Sequence, residues 1–515
     1  MSIEQKTCFD EFSSLPFVKK DEKFDFEKEY NETTFQGLEN FTLDSGEQKP
    51  IEYLENSLDI NIEGFSISVN ERFLFKNADL KLNYGHRYGL VGLNDVGKTT
   101  LIKHIASRAL RVPQNIDLLY CDQEVKPIDE TVMNVILRTH TKINQLYEEL
   151  KVLLEEPSMT NENKKRLDKI HKELEAFKCN ESHLKACRIL AGLGFDRSMM
   201  HRPTRSFSTA WRMRISLAKA LFIEPSLLLL DEPTNYLDIN SVVWLDKYLR
   251  DWKKTILVVS NDQCFLDKVC TDIIHLQDIQ EKIIIEFPNA HFSESQEWQI
   301  FFKNVSFNYE NQSYLFKDMD FSVETKSRVS ILGSNGVGKS TLLKLLMGDL
   351  QPKNGKIIRN GRIRLGRYNQ DSIEKLDLNM TPLEYIKNLG NFEYQDCRKK
   401  LRNVGLPEFI NEMKIENLSI GHKAKLALCD LMSKEYNLIL FDEPTNYLDI
   451  KTIDALVEAV NSYNGSVVIV SHDEFLIKET NCELYIIENL NICRVQGVFD
   501  DYRKEFLESL GEKIG

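Results

Sequence analysis

Two stretches of this 515-residue chain pass from a continuous apolar run into an acidic pair. Leu227 to Leu230 lead into Asp231 and Glu232, and Leu438 to Phe441 lead into Asp442 and Glu443. Four apolar residues without polar interruption read as a strand buried on both faces in a parallel sheet. Open α/β sheets hold ligands beyond the C-terminal ends of such strands, so each carboxylate pair is placed to serve a site. From the first acid onward the stretches share nine identical residues, DEPTNYLDI at 231–239 and at 442–450. Upstream of each lies a glycine-punctuated loop, GLNDVGKTT at 92–100 and GSNGVGKST at 333–341. A strand capped by solvated acids would account for one carboxylate pair. It does not account for two pairs that each come with a phosphate-type loop, so the chain is read as binding nucleoside triphosphate twice.

The pattern around these landmarks divides the chain. Residues 1–59 are acidic, with Phe and Tyr scattered among Glu and Asp. That composition suits an extension which either stays unfolded or straps its aromatics onto the domain that follows. Alternation in INIEGFSISV and RFLF predicts short antiparallel strands from residue 60. RYGLV then leads into the first loop, with a helix predicted through LIKHIASRAL. The first domain is expected over 60–286, a linker over 287–297 and the second domain over 298–515, ending in a short helical tail. A dozen linker residues span roughly 40 Å at most, which keeps the domains at high effective concentration.

Residues 134–185 differ: they have helical period and propensity, broken at PSMTNEN, and predict a hairpin arm of two helices. Repeat spacing marks the arm as an insertion. Lys98 and Lys339 are 241 apart but Asp231 and Asp442 only 211, so the first copy holds 30 extra residues between these landmarks. Its charges are mixed, with Lys164, Lys165 and Arg166 beside the tip. A solvated arm and a probe reaching a large partner both fit.

Composition removes several classes. A net charge of −13 argues against nucleic-acid binding through overall charge, so any such contact needs a local basic patch. Ten cysteines without a CxxC pair fit a reducing compartment and offer no zinc or iron–sulfur site. No apolar run reaches the roughly 18–20 residues of a bilayer span, and the start, MSIEQKTCFDEF, has no apolar signal core. The expected compartment is the cytoplasm, with nuclear passage left open.

In the GxxxxGK[ST] loops, glycines let backbone N–H groups turn toward phosphate oxygens at a helix N-terminus. Gly92, Asn94, Gly97 and Thr100 in the first loop, and Gly333, Asn335, Gly336, Gly338 and Thr341 in the second, form the expected cradles. Lys98 and Lys339 should reach the β- and γ-phosphates, while Thr99 and Ser340 ligate Mg²⁺. Asp231 and Asp442 should complete the Mg²⁺ shell, and Glu232 and Glu443 are placed to accept a proton from an attacking water.

These motifs together resemble the ATP-binding cassette proteins, and DEPTN-x-LD resembles their F subfamily, soluble twin-cassette proteins of which many act on ribosomes. ACRILAGLGF (186–195), WRMRISLAKALF (211–222) and GRYNQDSIEKLDLNMTPLEYI (366–386) are similar to its eukaryotic branch. The resemblance covers about residues 60 to 510 and implies an α/β fold of two tandem cassettes. Each would have a mixed-sheet core, an antiparallel β subdomain and a helical subdomain. It also implies a monomer whose cassettes pair head to tail, each ATP sitting on one phosphate loop and closed by the other cassette's signature.

The signatures match FSTAW, with Ser208, and LSIGH, with Ser419 and Gly421. The polarising glutamines, also metal ligands, match Gln123 and Gln370; the switch histidine matches His472; an adenine-stacking aromatic matches Tyr309. The chain departs from the family pattern at Asn261, which stands where the first copy should carry its histidine. It departs also at Val69, which lies near the first stacking position, and at Thr209 and Ala210, which replace two signature glycines. Site one (first loop, second signature) and site two (second loop, first signature) are therefore unequal. A Cβ in the signature crowds backbone approach to the γ-phosphate, and one lost preorganised donor costs about 10²–10³ in rate. Slow hydrolysis carried mainly by site two is expected.

The F subfamily usually joins its cassettes by a long, charged two-helix linker; here that linker is cut and the N-terminal extension is acidic rather than Lys-rich. The resemblance implies an ATPase acting on a ribosomal or pre-ribosomal particle, which the arm would then contact. A weakly catalytic ATP-dependent clamp and the ATPase subunit of a membrane transporter are the alternatives. A recycling factor with an N-terminal iron–sulfur domain does not fit, since Cys8 is the only cysteine in the first 100 residues.

Overall fold

The computed structural model describes residues 41–44, 58–69, 72–121, 125–139, 181–276, 283–290, 299–310, 312–360, 363–390, 392–495, 497 and 499–504, with single positions between 149 and 173. In the first domain β1 (Phe41–Asp44), β2 (Ile60–Val69) and β3 (Arg72–Leu82) form an antiparallel sheet in that order. Strands β4 (Arg87–Gly92), β5 (Leu118–Cys121), β6 (Leu227–Asp231), β7 (Thr255–Val259) and β8 (Asp272–Leu276) form a parallel sheet ordered β5-β6-β7-β4-β8.

The second domain repeats the plan. Strands β9 (Gln299–Phe307), β10 (Phe316–Glu324), β11 (Arg328–Leu332) and β12 (Asn354–Asn360) come first. They are followed by β13 (Leu365–Tyr368), β14 (Leu438–Asp442), β15 (Ser466–Val470), β16 (Glu483–Glu488) and β17 (Asn491–Arg494). The antiparallel sheet runs β10-β9-β12, and the core sheet β13-β14-β15-β11-β16-β17 is parallel except for its last pair.

The apolar runs explain these layers. Along β6, Leu228 and Leu230 pack into a helical core with Ile189, Leu193, Leu217 and Leu221. Leu227 and Leu229 face the other way, onto Phe65, Ile67, Ile102 and Ile105. Both faces of the strand are covered, so every position must be apolar until the chain leaves the sheet at Asp231. Ile439 and Phe441 against Leu438 and Leu440 divide between two cores in the same way. Because the loop strands β4 and β11 lie one strand away from β6 and β14, each phosphate loop and each Asp-Glu pair emerge at the same sheet edge.

Two segments fall on the other side of the domain bounds read from the sequence. Phe41–Asp44, within the stretch read as an acidic extension, pairs antiparallel with β2, Phe41 opposite Val69. Residues 283–290, divided by the sequence between the end of the first domain and the linker, dock on the second. Ile283, Ile285 and Phe287 enter its helical core, and Ala290 exchanges hydrogen bonds with the Asn464 side chain. Their alternation with Ile284 and Glu286 is the period of an extended segment with one buried face. The arm lies largely outside the described residues. Helices Val132–Leu137 and Glu181–Gly192 flank it, and Arg166 holds Glu149 through two bonds of 2.6 and 2.7 Å.

The domains exchange residues across their interface. Ile239, the last residue of the first repeated nonapeptide, is fully buried against Leu332, Ile477, Leu484 and Phe499 of the second domain. Ile450, its copy, packs on the core of the first. The C-terminal tail adds Tyr502, whose hydroxyl donates to Asn240 Oδ1 at 3.0 Å, and Arg503, 3.6 Å from Asp246. Lys268 pairs with Glu474 across the same seam.

Since Ile239 belongs to one domain and its packing to the other, Ile239→Ala should loosen docking by about 2–5 kcal/mol while both domains still fold. Scanning calorimetry should show one transition splitting into two; an unsplit transition at the parental temperature would count against this account of the interface.

Candidate functional site

Each loop is shaped by the glycine before its lysine. Gly97 (φ 98°) and Gly338 (φ 111°) are left-handed and cap the helices Lys98–Ala106 and Lys339–Met347, so the free N–H groups of each helix face the loop's hollow. Lys98 Nζ donates to the carbonyls of Gly92 (2.7 Å) and Leu93 (2.8 Å), and Lys339 Nζ to those of Gly333 (2.7 Å) and Ser334 (3.2 Å). Burial pulls both lysines below their ordinary range, against the attraction of Glu232 and Glu443 respectively. The Ser340 hydroxyl bonds to the buried Asp442 carboxylate, and Tyr120 donates to Asp231 Oδ2 at 3.3 Å.

Both glutamates leave their strands with left-handed backbone, Glu232 at φ 48° and Glu443 at φ 52°. Such residues persist only where the surroundings hold them; here the N–H of each donates to the neighbouring strand, at Val259 and Val470. Burial pushes both carboxyls up to about 8. Asn261 Nδ2 donates to Glu232 Oε1 at 2.8 Å. In the second domain the same seat is taken by His472, whose Nε2 lies 3.0 Å from Glu443 Oε1 and whose backbone N–H donates to Oε2 at 3.2 Å. His472 Nδ1 accepts the N–H of Ile239 from the first domain at 3.2 Å. These partners assign the neutral tautomer with its proton on Nε2. Burial, with the nearby Lys339 ammonium, pulls the imidazole down to about 3.

A cavity of about 590 Å³ joins the first loop to the opposite domain. Asn94, Gly97, Lys98, Thr99, Thr100, Asp231, Glu232 and Asn261 line it from one side, with Ser419, Gly421, Asn335, Glu443 and His472 from the other. Asn94 Nδ2 donates to the Tyr447 carbonyl at 2.7 Å, and the Ser419 hydroxyl donates to Asp95 at 2.7 Å. A Cβ at Gly421 would stand 2.5 Å from Asn94 Nδ2 and 3.2 Å from the Tyr447 carbonyl, so the Asn94 amide would have to move off its bond to that carbonyl. The first signature carries that methyl as Ala210. Among the described residues, the hydrogen bonds running from a signature to the opposite phosphate loop are those of site one. Ser208 begins the helix Thr209–Ile223 without a side-chain cap bond, while Phe207 and Trp211 pack within their own domain against Phe195.

The remaining expected residues vary. Tyr309 is part-exposed, its hydroxyl 3.2 Å from Thr341 Oγ1. Gln370 donates its amide to Glu374 on its own helix. Gln123 lies outside the described residues. Two buried ion pairs went unread in the sequence: Arg214 with Asp238 at 3.4 Å and Lys425 with Asp449 at 2.7 Å, each tying a signature helix to the end of its own DEPTNYLD turn. Both cations stand six residues after the signature serine, a spacing that aligning the two copies reveals. Phe41 was also missed. Paired with Val69, it brings an aromatic ring to the cavity wall where the first domain's own strand has none. No motif marks it, because β1 is joined to β2 through residues distant in sequence.

A family model described as ABC transporter matches residues 75–235 and 316–446. The chain is 33% identical over 563 residues to ABC transporter F family member 4 of Arabidopsis thaliana, covering 89% of this chain and 78% of that one. It is 34% identical over 523 residues to ATP-binding cassette sub-family F member 3 of Mus musculus, covering 87% and 74%. Among solved structures, an archaeal ribosome recycling factor in complex with a ribosomal stalk protein shares the fold, with a TM-score of 0.55 at 18% identity over 84% of this chain and 89% of that one.

With ordinary carboxyls near 4.5 in the unfolded chain and Glu232 and Glu443 near 8 when folded, the folded form holds extra protons between those values. Stability contributed this way is present at low pH and is lost as pH rises through about 8. Nucleotide-free protein should melt at falling temperature from pH 6 to 8.5, and the Glu232→Gln, Glu443→Gln double variant should fall less steeply; parallel pH profiles would refute it.

Proposed function

The chain belongs to the F subfamily of ATP-binding cassette proteins, and from that membership we propose that it binds and hydrolyses ATP between its cassettes and uses their closure to act on ribosomes or pre-ribosomal particles. The observation that carries the reading is the composite cavity: Lys98, Thr99 and Glu232 from one cassette face Ser419 and Gly421 from the other across a single space. A site built from two cassettes couples nucleotide to their relative position, since a ligand touching both favours the closed arrangement.

In the proposed reaction Glu443 takes the proton of the attacking water, and Lys339 meets the charge of the phosphate oxygens. His472, neutral and protonated on Nε2, holds the Glu443 carboxylate. When bound, Mg²⁺ supplies charge neutralisation at those oxygens. The hydroxyl and carboxylate of Ser340 and Asp442, already in contact, are hard oxygen donors that fit it. Thr99 with Asp231 would serve site one, and Gln123 and Gln370 would complete the two shells.

Unequal turnover is part of the proposal. Site two has His472 beside its glutamate, whereas in site one the Asn261 amide holds Glu232 and has no second nitrogen to reach elsewhere. Against site two stands Ala210, whose methyl occupies the place that is bare in the other signature. That methyl favours the second reading, a weakly catalytic clamp whose closure controls partner binding. No helix among the described residues is long and apolar enough to cross a membrane. The ribosomal partner and a cytoplasmic location rest on the family resemblance.

Single-turnover hydrolysis should drop by about 10²-fold or more in Glu443→Gln and by much less in Glu232→Gln; equal losses would remove the asymmetry. The double variant, blocked in hydrolysis, should cosediment with ribosomal particles in Mg-ATP and release them without it. Sedimentation independent of ATP, or none at all, would sink the ribosomal reading.

A further inference from the structure

The two phosphate loops differ at one position that faces the other cassette. Asp95 stands where the second loop has Gly336, and both take left-handed backbone, at φ 63° and 83°. A Cβ built on Gly336 meets nothing within 4 Å, so the second loop leaves that place open. In the first loop it is filled by a carboxylate. Asp95 Oδ2 lies 2.7 Å from the Ser419 hydroxyl and 3.2 Å from His422 Nδ1, at the N-terminus of the 12-residue helix Ile420–Leu431.

A helix N-terminus with a hydroxyl and an imidazole beside it favours an anion. This one faces the first loop across the cavity, where a nucleotide seated on Lys98 would direct the far end of its phosphate chain. The helix already holds an anion, supplied by the protein. A diphosphate, one phosphate shorter, would leave the contact intact. A third phosphate would need the same donors and would bring its own charge beside the carboxylate.

We propose that site one is selective for a nucleoside diphosphate, with the Asp95 carboxylate taking the place of a terminal phosphate on Ser419 and His422. The inference rests on the reading of this cavity as a nucleotide site. It makes the contact of Asp95 with Ser419 and His422 a latch that holds one edge of the cassette pair closed without a third phosphate, and leaves triphosphate-dependent closure to site two.

The test uses the full chain carrying Lys339→Ala, which disables the second loop, with Asp95 intact or changed to Gly or Asn. Calorimetric titration with Mg-ADP and with the non-hydrolysable Mg-AMP-PNP reads the affinity ratio. With Asp95 intact, ADP should bind at least about tenfold tighter, the scale of one charged hydrogen bond. Asp95→Gly should erase the preference by strengthening AMP-PNP binding. Its backbone is not a risk to folding, since glycine adopts this φ freely. Asp95→Asn, which keeps an acceptor for Ser419 without the charge, should fall between. A ratio near one with Asp95 intact, or an unchanged ratio in Asp95→Gly, overturns the inference and leaves the nucleotide site standing. Failure of either nucleotide to bind any of the three proteins overturns the nucleotide reading and the inference together.

Discussion

The seam between the two cassettes turns on one reciprocal exchange, the packing of each nonapeptide's last residue against the other cassette. Ile239 fills a pocket of Leu332, Ile477, Leu484 and Phe499, and Ile450 packs on the first cassette's core. The turn before each isoleucine carries the glutamate that leaves the strand end, so seating the isoleucine also fixes where that glutamate points. From the same junction the Ile239 N–H reaches His472 Nδ1, which leaves Nε2 to face Glu443. A packing contact in one cassette thus selects the tautomer of the histidine beside Glu443 in the other.

Around this exchange the two sites are unlike. In site one, glycine at 421 leaves room for the Asn94 amide to reach the Tyr447 carbonyl, a place a side chain would take from it, and Ser419 bonds Asp95 alongside. The first signature begins its helix with Thr209 and Ala210, and its flanking aromatics are engaged at home with Phe195 and Arg214. Glycine gives an interface room for backbone approach, and a single methyl removes it. The asymmetry therefore rests on sterics at a few positions as much as on the exchange of histidine for asparagine.

Elements from outside each cassette's repeat complete the pair. Strand β1 brings Phe41 beside Val69, residues 283–290 close the second cassette's helical core, and the tail places Phe499, Tyr502 and Arg503 on the seam. Lys268 and Arg503 both approach the buried Asp246, whose carboxyl burial pushes up to about 7. Removing one cation of such a cluster leaves a buried carboxylate with less to offset its burial.

Much of this was legible before folding was considered, because it is local. Two phosphate loops, two carboxylate strands and their order are written in contiguous residues. A doubled apolar run of four with acids at its end has few other structural solutions. The head-to-tail pairing came from family resemblance, and the geometry that makes it work did not appear in any motif. Which residue caps site one, that Asp95 meets Ser419, that Phe41 returns an aromatic to Val69 and that residues 283–290 belong to the second cassette all depend on segments tens to hundreds of residues apart. Such meetings are decided by which faces remain to be buried once the local elements exist, and linear spacing carries no record of them.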